Sequence, residues 1–192
     1  MVETNKGADM SEELTFEKFP SIKRLKRTCI ISEKIDGTNG QIVFDSNGHI
    51  LCGSRNKAIT PEQDNYGFAA WAYSNKDELF GVLGEGRHYG EWWGQGIQRR
   101  YDMEYKCFSL FHTGRWTPDN LVSIPQLSVV PQLYIGAFGT DIIDETMNAL
   151  LKSGSMASLG FNNPEGVVVY HSQIKQMFKI TFEHDKHGKQ RS

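Results

Sequence analysis

The residues best suited to chemistry lie in one run, Ser32-Glu33-Lys34-Ile35-Asp36-Gly37-Thr38-Asn39-Gly40. Thr28 to Lys34 has strand character, and the Asp, Gly, Thr and Asn that follow are residues common in turns. Lys34 therefore leaves a strand at its end, where the backbone is stiff and the turn lets a ligand come close. That placement suits a lysine nucleophile. To attack, the amine must lose a proton, and a free lysine titrates near ~10.4, so reaction at neutral pH asks for a depression of roughly three units, or about 4 kcal/mol. Neighbouring cations and desolvation supply such shifts. A surface lysine ahead of a hairpin accounts for this segment equally well, and Asp36 reads equally as an Asx-turn residue.

Four further segments change the balance: Gly53-Ser54-Arg55-Asn56, His88 to Gln98, Pro164 to Tyr170, and Met177 to Phe182. With the lysine run they resemble the covalent nucleotidyltransferase superfamily of polynucleotide ligases and capping enzymes. The signature of that superfamily is Lys-x-Asp-Gly, a downstream arginine, a strand carrying glutamate, a Glu-Gly strand and a final lysine strand. All five occur in order between Glu33 and Lys179 and cover most of the chain. Lys-x-Asp-Gly alone is a weak signal, whereas five motifs in sequence are a strong one. Asn39, the run Gly90-Glu91-Trp92-Trp93-Gly94-Gln95-Gly96-Ile97-Gln98, and the closing Phe178-Lys179-Ile180-Thr181-Phe182-Glu183 are more similar to RNA ligases than to DNA ligases or capping enzymes.

The resemblance implies an ATP-dependent RNA ligase that works with Mg²⁺, with Mn²⁺ able to substitute. Lys34 attacks the α-phosphate of ATP and expels pyrophosphate; AMP then passes to a 5′-phosphate end, and a 3′-hydroxyl displaces it. The implied roles fall on particular residues. Lys34 is the nucleophile, and Lys179 a phosphate contact that also lowers its basicity. Asp36 contacts the ribose or a metal-bound water, and Asn39 lies near the phosphates. Arg55 grips the ribose or the terminal phosphates, which suits a guanidinium fork. Glu91 holds ribose or metal, Glu165 binds the metal, and Glu33 reads the adenine amino group. Phe111 matches the adenine-stacking position, with Phe108 read as sheet core and Trp92 and Trp93 as core and rim. Gln98 reaches the nucleic acid or the phosphates. The implied partners are RNA ends, a 5′-phosphate and a 3′-hydroxyl, with DNA as the alternative.

The pattern departs from the family in two places. The family closes on Lys-x-Lys, but the position two before Lys179 is Met177. Lys175, four before, is on the same strand parity and is the candidate replacement. Many relatives also continue into a second domain, whereas Glu183 to Ser192 is too short to fold alone, so residues 1–192 are expected to form a single nucleotidyltransferase domain.

Several elements are needed to position these residues. Strands are expected over Thr28 to Lys34, Asn39 to Asp45 and His49 to Arg55, the last two joined by Ser46-Asn47-Gly48. Thr60-Pro61-Glu62-Gln63 has the layout of a helix start, with threonine as N-cap and glutamine as the reach-back residue. The inner face of that helix would be Phe68, Trp71, Ala72, Leu79 and Val82, with breaks at Gly67 and Ser74-Asn75. Arg87 to Trp93 and Tyr105 to Phe111 read as aromatic core strands. Thr140 to Lys152 is the clearest helix, with Ile142, Ile143, Met147, Leu150 and Leu151 on one face and Gly154 beyond its end. Val167 to Tyr170 and Ile174 to Phe182 complete the strands, and Pro118 to Pro131 reads as loop. One α+β domain on antiparallel sheet, of the ligase and capping-enzyme type, is the expected fold.

Composition is compatible with this and selects nothing by itself. The 192 residues are 39% hydrophobic and 23% charged, with a net charge of −2. No apolar run reaches the length of a membrane span, and the start of the chain lacks a signal-peptide layout. A cytoplasmic setting fits the three scattered cysteines, Cys29, Cys52 and Cys107, each expected as a small buried residue. Lys23 to Arg27, Arg99 with Arg100, and Lys186 to Arg191 are basic groups of a kind that holds phosphates or simply lines a solvated face. The six histidines have no metal-ligand spacing. Rival readings are a DNA nick ligase, a capping guanylyltransferase, and a non-catalytic nucleotide or nucleic-acid binding module.

Overall fold

The computed structural model describes residues 15–22 and 28–183. The basic groups Lys23 to Arg27 and Lys186 to Arg191, and His184 and His187, lie outside the described residues. Among the described residues, ten strands form two sheets with three α-helices, in an α+β arrangement that is antiparallel except for one pairing. In chain order these are β1 (Thr28–Lys34), β2 (Thr38–Phe44), β3 (Ile50–Gly53), β4 (Ala58–Ile59), α1 (Phe68–Ser74), α2 (Lys76–Leu83), β5 (Gly86–Gly94), β6 (Lys106–Leu110), β7 (Leu127–Val129), β8 (Gln132–Ala137), α3 (Thr140–Ser153), β9 (Gly166–His171) and β10 (Gln176–Thr181).

One sheet has the order β10-β9-β1-β8 and the other β4-β3-β2-β5-β6-β7. Strand alternation gives each sheet a packed face and an open one. In β1, Cys29, Ile31 and Glu33 are buried, while Ile30, Ser32 and Lys34 point the other way. The buried side meets Ile143, Met147 and Leu150 of α3, together with Val167 and Val169 of β9. In β2, Gly40, Ile42 and Phe44 face a larger core built with Phe68, Trp71, Leu79 and Leu83 from α1 and α2. A third cluster, Ile35, Trp93, Tyr101, Cys107, Val130 and Phe161, joins the two sheets at the end of β1. All three cysteines are buried and free.

Most strands lie where the residue pattern puts them, but three expectations are corrected. Thr60 to Gln63 is a tight bridge-closed turn and does not start a helix: Gln63 N–H donates to Thr60 O at 3.0 Å. The helix begins at Phe68, and its acceptor comes from Asp64, whose carboxylate takes the N–H groups of Ala69 (2.8 Å) and Ala70 (2.9 Å). A carboxylate at two first-turn donors satisfies them and complements the helix dipole, which a threonine eight residues upstream cannot do. Leu151 is 57% exposed, so the inner face of α3 is narrower than its hydrophobic spacing suggests. Residues 118 to 131 are not all loop, because Leu127–Val129 adds a parallel edge strand beside β6.

Candidate active site

β1 ends at Lys34, and the next three residues turn the chain into β2, so the nucleophile candidate sits where one sheet passes to the other. The turn is tight because Gly37 lies against β5. A Cβ there would come within 2.5 Å of Trp92 O and 2.8 Å of Trp93 Cβ. Glycine is required for that close approach of backbones. The contact brings the lysine turn against the strand that carries Glu91.

Lys34 Nζ donates to Glu165 Oε2 at 2.6 Å, with side-chain exposures of 22% and 16%. Glu165 directly precedes β9, whose Gly166 is paired with Lys34. The sheet register therefore makes this contact. Glu91 is 8% exposed. Its Oε1 accepts from Gly37 N–H at 3.1 Å and its Oε2 from Asn39 Nδ2 at 3.0 Å. Asn39 Oδ1 in turn accepts from Arg55 Nε at 2.8 Å. Burial pushes the Glu91 carboxyl up to about 7; nearby Glu165 adds to this, while Lys34, the Gly37 N–H and Arg55 oppose it. Arg55, Asn39, Glu91 and the Lys34 turn thus form one hydrogen-bonded chain across β2, β5 and the turn after β3.

The expected site residues differ in where the fold puts them. Lys34, Glu165, Glu91, Asn39 and Arg55 are brought together by these bonds. Phe111, 37% exposed, lines a cavity on the same open face with Asn39 and Arg55. Phe108, Trp92 and Trp93 are core residues. Lys179 is exposed on β10 opposite Val168, which is itself opposite Ser32, so it shares the open face with Lys34. It lies two strands across and two residues along from Lys34, about 12 Å away at the usual strand spacings.

Glu33, Arg99 and Lys175 are placed otherwise. The Glu33 carboxylate is 1% exposed and points into the α3 side of the sheet. It accepts from Ser155 Oγ (2.6 Å), Met156 N–H (2.8 Å) and Ala157 N–H (3.0 Å). A side chain so enclosed has no access to an adenine amino group, and its role is to fasten the loop after α3 to β1. Burial raises its pKa, and the three donors work against that rise. Arg99 is 12% exposed at its side chain and is turned toward the protein rather than to solvent: it donates to Asp36 Oδ2 (3.1 Å), Glu183 Oε1 (2.5 Å) and Asn163 O (3.4 Å). Lys175 has φ 53° in the turn before β10. The register puts Thr181, six residues later, level with Lys34, so Lys175 is about 20 Å away at 3.3 Å per residue. Sharing strand parity is not enough when the residue lies at the far end of the hairpin.

Two residues that the motifs did not point to complete the surroundings. Tyr101 is fully buried, with its ring against Trp93 and Phe161, and its hydroxyl oxygen accepts the Asp36 N–H at 2.8 Å. It lies in a loop where Gln98, Arg100, Tyr101 and Asp102 all have positive φ. Each such non-glycine residue costs about 1–2 kcal/mol of strain. The burial of Tyr101 and the three bonds of Arg99 hold the loop in place. Gln98 and Arg100 are exposed on this loop. Ser155, whose Oγ donates to Glu33, is the second residue, and nothing in its local sequence marks it. The aromatic Tyr101 two positions past Arg99 was a readable signal of a buried anchor.

The donor set fits a divalent cation held mainly by a ligand. Among the described residues no three acidic, histidine or cysteine side chains form a cage. The two carboxylates expected to share a metal are also not equivalent. Both oxygens of Glu91 accept bonds inside the protein, while Glu165 keeps one oxygen clear of them. Glu165 thus has an oxygen free to meet a divalent ion, and phosphate oxygens would supply the rest, as is usual for Mg²⁺.

The family model described as RNA ligase matches residues 27–181. No curated protein matches the chain significantly. Among solved structures, a variant of a Naegleria gruberi RNA ligase with ATP and manganese is 20% identical, with a TM-score of 0.59, over 86% of this chain and 53% of that one. Another variant of the same ligase, with AMP and manganese, gives 20% identity and a TM-score of 0.57 over the same shares. A third, without ligand, gives 20% and 0.57 over 84% and 51%. At this identity the likeness is one of fold, and the chain spans about half the length of the structures it matches.

Proposed function

Since this chain belongs to the RNA ligase family, we propose that it is an ATP-dependent polynucleotide ligase for RNA ends, with Lys34 as the residue that carries AMP. The observation that carries the reading is the Lys34 amine at a strand end, 2.6 Å from Glu165 and joined through the turn to Glu91, Asn39 and Arg55. The neighbouring fold class includes a ligase solved with ATP and with AMP, and the chemistry needed is the same. Lys34 Nζ, having given up its proton, attacks the α-phosphorus. A P–N bond forms, the bond to the bridging oxygen breaks, and pyrophosphate leaves. An oxygen of a 5′-phosphate then attacks the same phosphorus, the P–N bond breaks, and Lys34 regains a proton. Finally a 3′-hydroxyl attacks the 5′-phosphorus and AMP departs.

The ion pair with Glu165 holds the resting amine in place. Its release requires another cation at the carboxylate. A divalent ion there, held by Glu165 and ligand phosphates, would neutralise developing charge. Asn39 and Arg55 orient the sugar and phosphates, Asp36 is fixed by Arg99 and Tyr101 toward the ribose, Phe111 supports the base, and Lys179 reaches the phosphates from β10. Gln98 and Arg100, on the exposed loop, contact the RNA. The test is to incubate the protein with ATP, Mg²⁺ and 5′-phosphate RNA and to follow AMP-capped RNA and sealed product. Accumulation of both supports the proposal. Sealing of a DNA nick in preference to RNA would reassign the substrate, and a GMP adduct in place of AMP would make it a capping enzyme.

A further inference from the structure

The open face of the six-stranded sheet continues beyond Glu91. On β5, Glu91, Tyr89 and Arg87 occupy alternate positions, so their side chains leave the same face at about 6.6 Å intervals. Asn39, Gln41 and Val43 stand opposite them on β2. Tyr89 is 54% exposed, and its hydroxyl has no hydrogen-bond partner among the described residues. Its carbonyl accepts from Phe111 N–H at 3.0 Å, which sets the two aromatic residues side by side. Both rings line a cavity of about 170 Å³ with Gln41 and Arg55. Arg87 donates through one Nη to Gln41 Oε1 at 2.5 Å, and the residue is otherwise exposed. The result is an exposed ring that shares one sheet face with two arginines, Arg55 on the same cavity and Arg87 two residues back along β5. It matches what an unpaired nucleotide strand requires: a flat surface for a base and cations for its phosphates.

We propose, resting on the ligase reading, that Tyr89 and Arg87 bind the polynucleotide strand. An unpaired nucleobase beside the sealing point stacks on Tyr89, and the adjoining backbone phosphate meets Arg87. Arg87 lies about 13 Å along β5 from Glu91, on the far side of Tyr89 from the lysine. The hydrogen bond from Arg87 to Gln41 fixes the guanidinium beside the ring.

The experiment measures the Kd of a short single-stranded 5′-phosphate RNA by fluorescence anisotropy, and in parallel the KM for ATP in forming the AMP adduct. Tyr89→Ala should weaken RNA binding roughly tenfold, the loss expected for one stacked base. Tyr89→Phe should bind within about twofold of the unchanged protein, because the ring and not the hydroxyl makes the contact. Arg87→Ala should lower the slope of log Kd against log salt by about one, the loss of a single phosphate contact. The KM for ATP should stay within about twofold in Arg87→Ala, and in Tyr89→Ala it should rise by less than RNA binding falls, since the Tyr89 ring shares a cavity with Phe111. Equal damage to ATP and RNA, or equal damage from alanine and phenylalanine, would overturn the assignment. A protein that binds RNA through Tyr89 but forms no AMP adduct would uphold this inference and reject the ligase reading.

Discussion

Glu91 is the residue at which burial and charge are most closely balanced. Its carboxyl is raised to about 7 from an ordinary 4.5, mainly because it is buried, with both oxygens already bonded to the protein. A raised value means that the fold favours the protonated form. The stability it contributes is complete below the unfolded value and is lost as pH rises through the folded one. Glu91→Gln removes that dependence. The difference in unfolding free energy, wild type minus variant, should therefore fall between about pH 4.5 and 7 and flatten above. Its amplitude should be at most about 3 kcal/mol. Denaturant titrations of both proteins across that range provide the check, and a difference that grows with pH would mean that the carboxylate is stabilised as an anion.

At the scale of elements, register decides which lysines matter. Lys179 and Lys175 are equivalent by parity, but the β9–β10 hairpin puts one within two strands of Lys34 and the other at the opposite end. Lys179→Ala should slow adduct formation by at least tenfold, whereas Lys175→Ala should leave it within about twofold, as contact with developing phosphate charge demands. Rates of AMP attachment measured by denaturing electrophoresis test this. Comparable losses at both positions would show that the turn folds back over the site. The same distinction explains how far the sequence could be read. Strand alternation and the turn at Ser46 to Gly48 were legible because each rests on neighbours in the chain. Lys34, Glu165, Glu91, Asn39, Arg55 and Phe111 were legible because five motifs in order resemble those of a family. The inward turn of Glu33 was not, since its partners Ser155, Met156 and Ala157 follow it by more than 120 positions. Nor was the engagement of Arg99 with Asp36 and Glu183, which depends on a strained loop that no local propensity favours.

For the molecule as a whole, the site lies where two sheets meet, and the third apolar cluster is what joins them. Phe161 is 9% exposed and packs at 4.6 Å from Tyr101, which in turn holds the Asp36 backbone. Phe161→Ala should cost about 3 kcal/mol and lower the denaturation midpoint in a single transition, with far-ultraviolet circular dichroism and tryptophan fluorescence moving together. Separate transitions by the two probes would mean that the sheets unfold independently. The central claim is that this whole arrangement presents Lys34 for covalent attachment of a nucleotide. Its most direct measurement is peptide mass mapping of the protein after incubation with ATP and Mg²⁺, alongside Lys34→Ala. The account predicts an AMP adduct on the peptide containing Lys34 in the unchanged protein and none in the variant. An adduct on any other lysine, or one that persists in Lys34→Ala, would contradict it.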